Sequence, residues 1–236
     1  MRKKFVALLG LALMICVAGT ATATVIDVSS GFDSSGNLIA SYYPAAVPDG
    51  HYTITATGDP AILPLPAPAY VLGPNGTWPV GVAWVPNSPS AQWIGPYQNP
   101  AQNAPPTTPP AKTLYIYETK FNLAASDVPY AYISGKYAVD NGGGTDLNYE
   151  ILLNGLQSVI PGEYGFNSWH NFGFNEGFVL GENTLQFYVF NFGQSSGNPT
   201  GLIVDGTVAT PEPGTMMLLG SGLIGLAGWG RKKFRK

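Results

Sequence analysis

The stretch "KTLYIYETKFNL", residues 112–123, decides the fold class. Successive side chains of an extended chain point to opposite faces. Leu114, Ile116, Glu118 and Lys120 therefore share one face, and Tyr115, Tyr117, Thr119 and Phe121 share the other. The charges at Glu118 and Lys120 mark the wetter end of the first face. β-Branched and aromatic residues of this kind fit a pleated, half-buried surface.

Working outward, four later stretches have the same character: "YAYISGKYAVD" (130–140), "LNYEILLNG" (147–155), "ENTLQFYVFNF" (182–192) and "GLIVDGTVA" (201–209). Gly and Asn turn signals separate them, as expected of antiparallel strands. Upstream, "ATVIDVSS" (23–30) and "HYTITATGD" (51–59) read as opening strands. The 30 Gly and 21 Pro of the 236-residue chain argue for turns and short strands over long helices. The expected fold is all-β, a single antiparallel β-sandwich occupying residues 24–209.

Residues 60–110 form a proline-rich insertion that nevertheless carries Trp78, Trp84 and Trp93. An exposed indole leaves a large apolar area in water, so "NGTWPVGVAWVPNSPSAQWIGP" (75–96) is expected to pack on the domain as edge strands and ordered loops. "NPAQNAPPTTPP" (99–110) reads as a polyproline-like connection that cannot join a central strand.

Both ends differ from the middle. "MRKKF", an apolar run and "TATA" make the three zones of a secretory signal over residues 1–23, with Ala21 and Ala23 at the expected cleavage site. Cys16 is the single cysteine and lies inside that signal, so the exported domain has no disulfide, thiolate metal site or cysteine nucleophile. Excluding the basic ends leaves Lys112, Lys120 and Lys136 against fourteen acids. Such a surface repels a phosphate backbone, which excludes nucleic acid as a natural partner.

The tail "TPEPGTMMLLGSGLIGLAGWGRKKFRK" (210–236) joins Pro211, Glu212 and Pro213 to a short Gly- and Leu-rich apolar run and a basic terminus. That three-part order resembles a PEP-CTERM sorting signal. The resemblance implies a transient hold in the inner membrane by a short transmembrane helix, cutting near the PEP motif by a membrane protease of the exosortase type, and release to the cell surface or beyond. The run from Met216 to Trp229 is shorter than the ~20 apolar residues of a usual span, which suits a temporary tether. The terminal cations keep that end cytoplasmic by the positive-inside bias and place the acidic domain on the exported side.

Residues 112–209 resemble the galactose-binding-like, jelly-roll β-sandwich of exported bacterial proteins and carbohydrate-binding modules. The residues that carry this are "TKFNL" (119–123), "AYISGKYAVDN" (131–141), "YEILLNG" (149–155), "GENTLQFYVFN" (181–191) and "GLIVDGTV" (201–208). No catalytic residue is implied by it.

Two stretches carry candidate sites. "EYGFNSWHNFGFNEGF" (163–178) concentrates aromatics and hydrogen-bonding side chains. Sugar sites need that mixture, because an aromatic face covers the C–H side of a pyranose while amides and carboxylates orient its hydroxyls. Tyr164, Trp169, His170, Asn171 and Glu176 are the carbohydrate candidates. The same stretch also reads as a strand in which Phe166, Trp169, Phe172 and Phe174 pack inward and the polar residues serve turns. "DNGGGTD" (140–146) places Asp140, Asn141 and Asp146 around a glycine run, hard oxygen ligands suited to a structural Ca²⁺. Its glycines equally make it a hairpin turn.

For catalysis the inventory is small: His51 and His170 are the only histidines, and no phosphate loop or HExxH occurs. The expectation is an exported, non-catalytic surface or matrix protein, with polysaccharide as a possible ligand. The alternatives are a glycan hydrolase using a pair from acids such as Glu150, Glu163 and Glu176, or a purely structural, adhesive component.

Overall fold

The alternation of residues 112–123 becomes one of the two longest strands. A computed structural model describes residues 24–40, 47–98, 112–140, 151–158, 165–192 and 198–210. Its strands are β1 (Thr24–Asp27), β2 (Pro48–Thr57), β3 (Ala67–Val71), β4 (Ile94–Gly95), β5 (Lys112–Leu123), β6 (Tyr132–Asp140), β7 (Ile151–Leu153), β8 (Leu156–Ser158), β9 (His170–Phe174), β10 (Gly181–Phe192) and β11 (Gly201–Thr210). They lie in one eleven-stranded sheet with the path β8-β7-β10-β5-β2-β3-β4-β11-β6-β9, and β1 pairs with β11. The fold is all-β, as expected. The strands follow a single hydrogen-bonded path, where the sequence reading placed a two-sheet sandwich.

β5 and β10 pair antiparallel over all twelve residues, from Lys112↔Phe192 to Leu123↔Gly181. Tyr115, Tyr117, Thr119 and Phe121 are buried, while Lys120 is exposed and Glu118 half-buried. Opposite them, Leu185, Phe187 and Val189 are buried from β10. On the outer face Gln186 Nε2 donates to Glu118 Oε2 at 2.7 Å, and Lys120 Nζ to Glu182 Oε1 at 2.9 Å.

The main core gathers the inward residues of strands from the whole path. Tyr52 and Ile54 come from β2, Ile133, Tyr137 and Val139 from β6, and Leu202, Val204 and Val208 from β11. A second apolar cluster lies on the opposite face of β6 and β11. Ala138 and Ile203, offset by one residue from inward neighbours, meet Leu72, Val80, Trp84, Val85, Ala91 and Trp93. At these positions the two strands are buried on both faces, which explains the near-continuous apolar run "GLIV".

The proline-rich segment thus supplies a cover; one of its indoles bonds it to β6 and a second bonds within it. Trp84 Nε1 donates to Asp140 Oδ2 at 2.7 Å and Trp93 Nε1 to the Val85 carbonyl at 2.8 Å. Their rings lie 4.2 Å apart. Gly201 makes room for them, since a Cβ there would come within 3.0 Å of the Trp84 ring. Trp78 departs from the expectation of packing: it sits at the turn closed by the Thr77↔Val80 bridge and is 55% exposed.

Contacts divide the chain into Ile26–Val208 and a unit made of Met1–Val25 with Ala209–Lys236. In the second unit Thr210 Oγ1 reaches the Thr24 carbonyl at 3.5 Å. Among the described residues no helix is long and apolar enough to cross a membrane. The expected signal and tail helices, with Ala21, Ala23, Pro211, Glu212 and Pro213, lie outside the described residues.

Candidate functional site

β9 is the edge of the sheet, and its pairing with β6 decides which sugar candidates come together. The register is Ile133↔Phe174, Gly135↔Phe172, Lys136↔Asn171 and Tyr137↔His170. Even-numbered residues of β9 turn inward: Phe172 and Phe174 are buried in the main core, and the His170 ring lies 5.9 Å from Tyr137. Odd-numbered residues turn outward, so Asn171 is exposed directly beside Lys136.

On this outer face a cleft of about 400 Å³ is lined by Ser134, Gly135, Lys136, Asn171, Phe172 and Asp205. Gly135 lines it through its backbone; a Cβ there would point inward and stand 2.6 Å from the Phe172 ring and 2.8 Å from the Asp205 carbonyl. Any larger residue would press on the Phe172 ring and on the β11 backbone. Lys136 Nζ lies 3.4 Å from Asp205 Oδ2 and 4.5 Å from the centre of the Trp169 ring. An ammonium over an indole face is held by the ring quadrupole. The Asp205 carboxylate also accepts from Ser90 Oγ at 2.9 Å, with Ser88 Oγ at 3.4 Å. It therefore keeps a donor from the proline-rich cover whatever Lys136 does.

Trp169 packs at the edge of the second cluster and is half-buried. It serves as a seat for Lys136 and a wall beside the cleft. His170 is divided from the cleft by strand alternation, and its Nε2 lies 3.2 Å from Ser168 Oγ. Glu176 is exposed in the connection after β9, five residues past Asn171, and lines no part of the cleft. Of the five carbohydrate candidates, Asn171 lines the cleft and Trp169 stands beside it under Lys136, while His170 faces the other way, Glu176 is not in the lining and Tyr164 lies outside the described residues. Of the acids considered for hydrolysis, Glu150 and Glu163 also lie outside them.

The calcium reading fares differently at its one described residue. Asp140 is buried, accepts the Trp84 indole on Oδ2, and receives Thr200 Oγ1 on its backbone carbonyl at 2.7 Å. That carboxylate fastens the proline-rich cover to β6. Asn141 and Asp146 lie outside the described residues, among which no group of three His, Cys, Asp or Glu could hold a metal.

Sequence reasoning missed Ser134, Lys136, Asp205, Ser88 and Ser90. A signal for two of them was present: Lys136 is the single cation of "YISGKYAVD" and Asp205 the single charge of "GLIVDGTVA". A single charge in a mostly apolar strand invites a partner of opposite sign, and these two lie 3.4 Å apart.

Residues 209–232 match the PEP-CTERM protein-sorting motif. The motif implies an exported protein, sorted by an exosortase membrane protease and delivered to a surface or extracellular location. No curated protein and no solved structure matches the chain.

Proposed function

We propose that the chain is a non-catalytic cell-surface or extracellular-matrix protein whose outer β6–β9–β11 face binds carbohydrate. The observation that carries this reading is the open cleft in which Lys136, Asp205, Asn171 and Ser134 converge beside Trp169. Donors and acceptors around a shallow, rigid, aromatic-edged cleft are what a polyhydroxylated ring requires. Its floor and walls stand on strands, so little ordering is needed on binding. The cleft's single carboxylate has no second acid across from it among the lining residues, so the pair geometry of a glycosidase has no counterpart there.

The relation to the galactose-binding-like jelly roll belongs to the same proposal. Its support is that β2, β5 and β10 from one part of the path and β6, β9 and β11 from the other bury side chains in one shared core. A polysaccharide of the cell surface or matrix is the partner this reading assigns, reached after transient residence at the inner membrane.

The test is retention of the full chain on an array of neutral and acidic glycans. Wild type is expected to be retained, and both Asn171→Ala and Trp169→Ala to weaken retention at least tenfold with an unchanged far-ultraviolet spectrum. Retention equal to wild type in both variants overturns the assignment to this cleft.

A further inference from the structure

The geometry points to a neutral pyranose bearing a vicinal diol as the ligand of the cleft, read by the Lys136–Asp205 pair. This rests on the carbohydrate reading above and deepens it. The two charges that line the cleft have opposite sign and stand 3.4 Å apart, so the lining carries no net charge. Outside its basic ends the chain has three lysines against fourteen acids. A polyanion approaching this face meets a repulsive field and, inside the cleft, a carboxylate. An uncharged ligand is repelled by neither and can donate to the carboxylate.

Donor and acceptor roles then divide cleanly. The ammonium can only donate and the ionised carboxylate can only accept. Two adjacent hydroxyls match such a pair: one accepts from Lys136 Nζ through its oxygen, and its neighbour donates its proton to Asp205. Both bonds involve an ionised partner, which makes them stronger than neutral ones. Both charged groups are held ready beforehand. Trp169 seats the ammonium, and Ser90 with Ser88 holds the carboxylate at Oδ2, the same oxygen that Lys136 approaches. The lysine and aspartate side chains are 41% and 22% exposed, so both remain accessible from the cleft. Asn171, beside Lys136 in the register, has an amide that serves a third hydroxyl. The Trp169 edge beside the cleft meets the C–H side of the ring.

The experiment titrates the full chain with methyl glucoside, methyl galactoside and methyl mannoside, and with the monodeoxy analogues of each. At least one parent is expected to bind. Removing either of two neighbouring hydroxyls should weaken it about tenfold or more, the usual scale for a hydrogen bond to a charged group. Removing hydroxyls elsewhere on the ring should change affinity less than threefold. Lys136→Met and Asp205→Asn should each abolish the penalty for one of those two deletions, a readout that general destabilisation of the fold does not produce. Equal tolerance of every deoxy analogue by a bound parent overturns the diol assignment while leaving carbohydrate binding standing. Binding of acidic glycans with none of the neutral glycosides has the same consequence. Failure of the chain to bind any glycan removes both readings together.

Discussion

The two apolar clusters of Ile26–Val208 are built by different rules. The main core is made by strands, and its members are spaced two apart along β2, β5, β6, β10 and β11. The second cluster is made by a proline-rich segment with one residue each from β6 and β11, tied to β6 by the Trp84 indole and within itself by the Trp93 indole. Backbone pairing secures the first against slippage, since a one-residue shift would turn every inward side chain out. In the second, individual side chains do that work. The regular core is thus expected to fail as a whole, and the cover piecemeal.

The sharpest way to break the comparison is at Phe187. Its ring is buried and meets Phe172 at 5.3 Å, Tyr137 at 6.1 Å and Tyr52 at 6.2 Å, joining β10 to β9, β6 and β2. Phe187→Ala is expected to cost about 3–5 kcal/mol, the range for truncating a large buried aromatic. Denaturant titration should show one cooperative transition, moved to lower concentration, whichever region is probed. A variant in which the β5–β10 pair melts separately from β6–β9 would show that the core is two units.

A smaller and more local loss is expected at the cover. Trp84→Phe keeps most of the ring but removes the donor to the buried Asp140 carboxylate. Depriving a buried charged acceptor of one hydrogen bond costs about 1–3 kcal/mol. Amide exchange should rise in residues 72–93 while β5 and β10 keep their protection. Equal loss of protection in β5 and β10 would mean that cover and core are one cooperative element.

The same contrast explains what could be read in advance. β5, β6, β10 and β11 were legible because alternation is a local signal, available within a dozen residues. β3, "APAYV", was hidden: its proline and small residues carry little β preference, and pairing with β2 and β4 supplies what the local sequence lacks. At the candidate site, period two would have separated Asn171 from His170 once β9 was recognised as a strand. The Lys136–Asp205 pair was not legible, because it depends on β11 lying beside β6 across 69 positions of chain, a fact of topology and not of pattern. Likewise the hydrogen bond to Asp140 from Trp84, 56 residues earlier, was not legible, whereas the glycines after Asp140 that prompted the calcium reading were.

The smallest effect lies inside the regular core and runs in the opposite direction. Alternation places tyrosines inward on β2 and β5 without providing for their hydroxyls. Tyr52 Oη donates to the Val28 carbonyl, and Tyr115 Oη to Asp59 Oδ2 at 2.8 Å, with Tyr97 donating to the same carboxylate oxygen. Tyr117 Oη, equally buried, has no hydrogen-bond partner among the described residues. Burial accordingly pushes its phenol well above the ordinary value of 10, as it does at Tyr52. A buried hydroxyl without a partner is desolvated with no return, whereas both buried indoles of the cover are satisfied. Tyr117→Phe is therefore expected to leave stability unchanged or raise it by about 1 kcal/mol. Tyr52→Phe, which strands the Val28 carbonyl, should lower it by a similar amount. Thermal melts of the two variants, run side by side, should move apart; a fall of equal size in both would mean that the Tyr117 hydroxyl is satisfied in solution.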